Sequence, residues 1–101
     1  MLKMPTFQQV YLLQKPINMR WGERKLSALC QQEIGIAPKV GDAFLFFNAE
    51  RNELKLFFRD DAGSNEFQKM MPRGGFMLPA ASAGEPFTRI APKILERLFK
   101  R

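Results

Sequence analysis

Apolar positions along this chain change their spacing several times, and each change marks an element. Gln8-Gln9-Val10-Tyr11-Leu12-Leu13 is rich in strand formers and is halted soon afterwards by Pro16, which predicts a first short strand. From Asn18, read as an N-cap, to about Ile34, Leu26, Leu29 and Cys30 recur at i, i+3, i+4, and Gly35 supplies a left-handed stop. This predicts an amphipathic helix with a soft first turn at Gly22, on which Arg20 and Arg24 lie one turn apart, away from the apolar stripe. Asp42-Ala43-Phe44-Leu45-Phe46-Phe47 and Leu54-Lys55-Leu56-Phe57-Phe58 read as two strands joined by a turn at Asn48 to Glu53, hence a hairpin. Asp60-Asp61-Ala62-Gly63 is turn chemistry, and Asn65 to Met70 continues the meander as a third strand.

Pro72-Arg73-Gly74-Gly75 turns the chain once more, and Phe76-Met77-Leu78 reads as a last short strand before Pro79. Residues 80–87 form a small-residue loop, and residues 88–101 return to helical spacing. Thr88 or Ala91 is the expected cap, with Pro92 in the first turn. Ile90, Ile94 and Leu98 share one side of this helix, while Arg89, Lys93 and Arg97 recur at i, i+4, i+8 on the other and Lys100 and Arg101 extend the positive end. The expected architecture is one α+β domain over residues 1–101: an antiparallel sheet of four to five strands, a β-meander, with one helix in the N-terminal half and one C-terminal helix.

Composition narrows the chemistry. A chain of 101 residues suits a single core, and 46% hydrophobic residues with ten Phe are enough to fill one. A single cysteine, Cys30, allows no internal disulfide, and the absence of histidine removes the commonest general base and metal ligand together. Histidine-dependent hydrolases, zinc hydrolases and phosphotransferases each lack a working part, so no enzyme, cofactor or metal is expected. The start, Met1-Leu2-Lys3-Met4-Pro5, lacks the apolar core of a secretory signal, and no apolar run is long enough to span a bilayer, which points to a cytoplasmic protein with no membrane role.

Net charge is +6, which makes a polyanion, and nucleic acid above all, the natural electrostatic partner. The charge is uneven: residues 1–40 hold six bases against two acids, residues 41–79 five against six, and residues 80–101 five against two. Phe44, Phe46, Phe57, Phe58 and Phe67 either stack bases from an open sheet face, with Lys55, Arg59 and Lys69 between them, or form the core, and the core is the expectation. Asp60, Asp61 and Glu66 are the one acidic cluster, read as turn residues rather than a cation site.

From Phe44 to Pro79 the chain resembles the small TnpB-like accessory protein of bacterial insertion-sequence family 66. The matching positions are Phe44, Phe46, Asn48, Arg51, Lys55, Asp60, Gly63, Lys69, Arg73, Gly74, Phe76 and Pro79, in register without a gap. Upstream, Val10-Tyr11-Leu12, Pro16 and Met19-Arg20-x-Gly22 look like the family's opening strand and helix start, so the resemblance covers about residues 8–79. Asn18, Trp21, Glu53 and Met70-Met71-Pro72 depart from the family pattern, several of them with loss of positive charge.

The resemblance implies a non-catalytic helper of transposition, without active site or cofactor. Its implied partners are DNA, non-specifically or at element ends, and the cognate transposase or other element-encoded proteins. Arg20, Arg51, Lys55, Lys69 and Arg73 are the family-matching bases, and a meander would let Lys55 and Lys69 share one sheet face. With Arg24 they form the expected phosphate-contacting set, and Arg89, Lys93 and Arg97 form a second patch. A different reading makes the chain a protein-interaction module that docks a partner on Met70-Met71 and Phe76-Met77-Leu78.

Overall fold

A computed structural model describes residues 5–81 and 84–100. Five strands, β1 (Gln9–Leu13), β2 (Asp42–Phe47), β3 (Glu53–Asp60), β4 (Gly63–Met70) and β5 (Phe87–Ile90), form one sheet in the order β4-β3-β2-β1-β5. Helix α1 (Glu23–Leu29) runs directly into a π-helical segment, Cys30–Ile34, and helix α2 (Pro92–Phe99) closes the chain. This is the expected α+β fold, with a helix in each half.

Two strand assignments differ from expectation. The sheet is mostly antiparallel, but β1 and β2 are parallel neighbours, with Tyr11 opposite Phe44. Parallel neighbours need a long crossover, and residues 14–41 provide it with α1 inside. The fifth strand is Phe87–Ile90 on the outer edge of β1, not Phe76-Met77-Leu78, which lies in an irregular loop. Pro92 accounts for β5: it disfavours helical backbone at the preceding residue, and Ala91 is extended at φ −66°, ψ 140°. Helix α2 therefore starts at Pro92 with Ala91 as N-cap, and Thr88 to Ile90 are free to pair with β1.

Both sheet faces are covered, which is why β2 is buried at all six positions rather than alternating. Val10, Leu12, Leu45, Leu54, Leu56 and Phe58 pack on one face with Leu95 of α2. On the other face, Tyr11, Leu13, Phe44, Phe46 and Phe57 pack with Leu26 and Cys30 of the α1 side. The phenylalanines are thus core: Phe44, Phe46 and Phe57 are fully buried, Phe58 nearly so, and half-buried Phe67 packs edge-on to Phe58. None forms an open stacking platform for bases.

Turn chemistry fixes the ends of the strands. Asp60 accepts backbone N–H bonds from Ala62 and Gly63 and a side-chain bond from Asn65, so it closes the β3–β4 turn as expected. These donors, Asn65 first, hold its carboxyl below the ordinary carboxylate range. Asn18 is not the N-cap of α1. It accepts the Arg20 N–H in a turn before the helix, and Gly22 occupies the cap position with no side-chain cap bond.

Candidate nucleic-acid interface

The nine basic residues expected to meet phosphate fall into three groups. Lys55 is buried, 3% exposed, between the sheet and the segment that leads into α1. Its Nζ donates to the carbonyls of Met19 at 2.6 Å and Trp21 at 2.9 Å and pairs with Glu66 at 3.2 Å. All three ammonium donors thus have protein partners, so Lys55 offers nothing to a phosphate. The expectation that Lys55 and Lys69 share a face also fails. The register sets Lys55 against Gln68 and Leu54 against Lys69, so the two lysines point to opposite faces.

Arg20 and Arg24 lie on the α1 side, both exposed. Arg20 sits in the turn before the helix rather than on it, and Arg24 is the second residue of α1. Lys25 joins them, with its Nζ 4.3 Å from the centre of the Trp21 ring. Spacing gives a signal for it, since over the helix expected from Asn18 an aromatic and a cation four residues apart are neighbours, although Trp21 precedes the Gly22 cap. The one acid in this stretch, Glu23, is engaged elsewhere: it lies 3.4 Å from Arg59 and accepts the Ser64 hydroxyl at 2.8 Å. Arg20 also borders a depression of about 700 Å³ that carries Glu50 and Glu53, so the cationic surface extends from Arg20 toward Lys25 and not into that depression. Arg89 also faces the α1 side, opposite Tyr11 on the edge strand β5 and 5.7 Å from its ring centre.

The remaining bases belong to the α2 side. Lys69 shares the face of Leu54, and exposed Arg73 follows it in the loop after β4. Lys93 and Arg97 are one turn apart on α2 and exposed, with Lys100 beyond them. Arg89 being in β5, the expected three-residue stripe Arg89-Lys93-Arg97 does not form on one helix. Arg51 lies in the β2–β3 turn at φ 59° with its guanidinium 5.1 Å from the centre of the Phe47 ring.

Several family-matching positions serve the fold. Asn48 accepts the N–H groups of Asn52 and Glu53 on its Oδ1 and donates from Nδ2 to the Asn52 and Glu53 side chains. The Arg51 carbonyl accepts the Phe76 N–H at 2.7 Å and so draws the 71–81 loop against the β2–β3 turn, and the Pro79 carbonyl accepts a bond from Gln14. Among the described residues, no three acidic, histidine or cysteine side chains gather where they could hold a metal ion, and no helix is long and apolar enough to cross a membrane.

Comparison with known proteins agrees with the resemblance read from the residues. A family described as IS66 Orf2-like protein matches residues 8–100, which extends the likeness through β5 and α2. The chain is also 30% identical over 76 residues to the uncharacterized protein y4hO of Sinorhizobium fredii, over 75% of this chain and 66% of that protein. It therefore spans just under two thirds of that relative's length. No solved structure matches it. The shared pattern runs through both helices and all five strands, and the chain belongs to the IS66 Orf2-like family.

Proposed function

We propose that this protein is a non-catalytic accessory of an insertion sequence that assists transposition by contacting the DNA backbone through Arg20, Arg24 and Lys25. One observation carries the reading: the buried Lys55 ammonium holds the Met19 and Trp21 carbonyls, so the segment bearing these three exposed cations is tied to the sheet. Tethered cations contact phosphates with less loss of chain entropy than cations on a free loop. Cations are also disfavoured in the first turn of a helix by its dipole, so helix electrostatics gives no reason for Arg24 and Lys25 there, and Arg24 has no ion-pair partner among the described residues. Family membership supplies the biological setting.

Backbone contact of this kind is independent of base sequence and sensitive to salt. A random-sequence duplex titrated into the ¹⁵N-labelled protein tests it. The amide signals of residues 19–25 should move first, while those of residues 71–77 and 93–100 stay in place at low duplex concentration. Shifts confined to the second group, or none at low salt, would remove the assignment.

A further inference from the structure

Between the loop after β4 and helix α2 lies a groove of about 890 Å³, open to solvent, that the DNA reading does not use. Met71 and Met77 line one side, Ile94 and Leu98 the other, and Arg97 and Lys100 stand at its margin. Met77 is 92% exposed, the most exposed large apolar residue described. Solvating so much thioether and aliphatic surface is unfavourable, and contiguous apolar surface rimmed by charge marks interaction sites.

The groove is preformed. The Phe76 N–H is bonded to the Arg51 carbonyl at 2.7 Å and the Met71 N–H to the Asn52 carbonyl at 2.7 Å. Phe76 is buried at 7% exposure and fastens the loop to the core. Gly75 permits the close approach, since a Cβ there would stand 3.0 Å from the Arg51 carbonyl oxygen.

Charge selects the occupant. No acidic side chain lines the groove, and neither Arg97 nor Lys100 is ion-paired among the described residues. An occupant must therefore bring apolar side chains for the floor and carboxylates for the rim. Nucleic acid supplies the anions but not the aliphatic groups, and its bases would find methionine and aliphatic walls rather than an open aromatic face. We propose that this groove binds a segment of a partner protein that is acidic and carries aliphatic or aromatic anchors. Methionine suits the task, because its flexible, polarisable side chain moulds to an anchor of any shape. The DNA-contacting side and this groove then lie on opposite faces of the sheet, so both are open at once.

Selection of random displayed peptides on the immobilised full chain tests the proposal. Retained sequences should be rich in Asp and Glu interspersed with Leu, Ile, Phe or Trp. A synthetic peptide of the enriched sequence should bind roughly tenfold or more weakly to Met77→Ser and to Arg97→Glu, the scale of a central contact in an interface. Both substituted side chains are exposed, so the variants should melt with the wild type. No enrichment, enrichment of basic peptides, or binding unaffected by both variants would overturn the proposal. So would capture of phosphatidylglycerol vesicles, in place of peptides, that the same two variants abolish. A wild-type slope of log DNA affinity against log salt in both variants separates this outcome from failure of the DNA reading.

Discussion

The Nζ of Lys55, on β3, lies 2.6 Å from the carbonyl oxygen of Met19, thirty-six residues earlier in the chain. A cation at a family-matching strand position thus acts inward, as a tie between β3 and the segment that precedes α1. The surface cations are the ones it positions, and the predictions below follow from that division.

Lys55→Met keeps the stem volume and removes the ammonium. It orphans two carbonyls on the inner side of the Met19–Trp21 turn, at a cost of about 2 kcal/mol or more if they stay dry. Urea unfolding should show a lower midpoint at unchanged m-value. If Lys55 contacts no phosphate, the slope of log affinity for DNA against log salt stays at its wild-type value in the folded variant.

Asn48→Ala removes the hub of the β2–β3 turn and leaves the Asn52 and Glu53 N–H groups without their acceptor. A loss of about 2 kcal/mol is expected by urea unfolding. Asn48→Asp retains the Oδ1 acceptor but sets a second carboxylate beside Glu53, which now accepts from Nδ2 at 3.1 Å. It should therefore recover only part of the loss.

Cys30 is fully buried under α1, and desolvation pushes its thiol up from 9.0 to about 12. Below pH 9.0 folded and unfolded chains both hold the proton, and this contribution to stability is complete. As pH rises from 9.0 toward about 12, only the unfolded chain releases it, so stability is lost across that window. The stability difference between wild type and Cys30→Ala, followed by urea unfolding, should shrink as pH rises past 9.0. Thiol-reagent labelling at pH 8 should proceed at the rate of opening, far slower than for the denatured chain.

Gly75→Ala brings a methyl group to 3.0 Å from the Arg51 carbonyl oxygen, a backbone atom with little room to retreat. The loop must move or the Phe76 bond must stretch, so a cost of about 1 kcal/mol is expected. Thermal unfolding against the wild type checks it.

Much of this fold is legible in the residues, because local chemistry dictates it. Asp60-Asp61-Ala62-Gly63 closes its turn through the Asp60 side chain, and Gly35 ends the first helical stretch at φ 80°. The parallel pairing of β1 and β2 follows from their strand-helix-strand order, a non-local relation on which the meander of the later strands carries no information. In β5 the helical spacing of Ile90 with Ile94 and Leu98 is outweighed by Pro92 and by an open edge on β1.

Site residues are less legible, because charge type does not reveal direction. Lys55 and Lys69 both read as strand lysines, yet the register sets Lys55 against Gln68 on the α1 face, buried, and Lys69 against Leu54 on the α2 face, half-buried. Lys55 goes inward because the Met19 and Trp21 carbonyls wait there, a contact across thirty-six and thirty-four residues that no local pattern announces.

The most direct test of the account is the salt dependence of binding to a labelled random-sequence duplex, measured by fluorescence anisotropy for the wild type, for Arg20→Ala/Arg24→Ala/Lys25→Ala and for Arg73→Ala/Lys93→Ala/Arg97→Ala. The account predicts affinity that falls steeply with salt in the wild type. The first triple variant should lose about 2–3 units of slope, close to one per phosphate contact, and the second should keep the wild-type slope. An unchanged slope in the first variant, or a loss confined to the second, would contradict it.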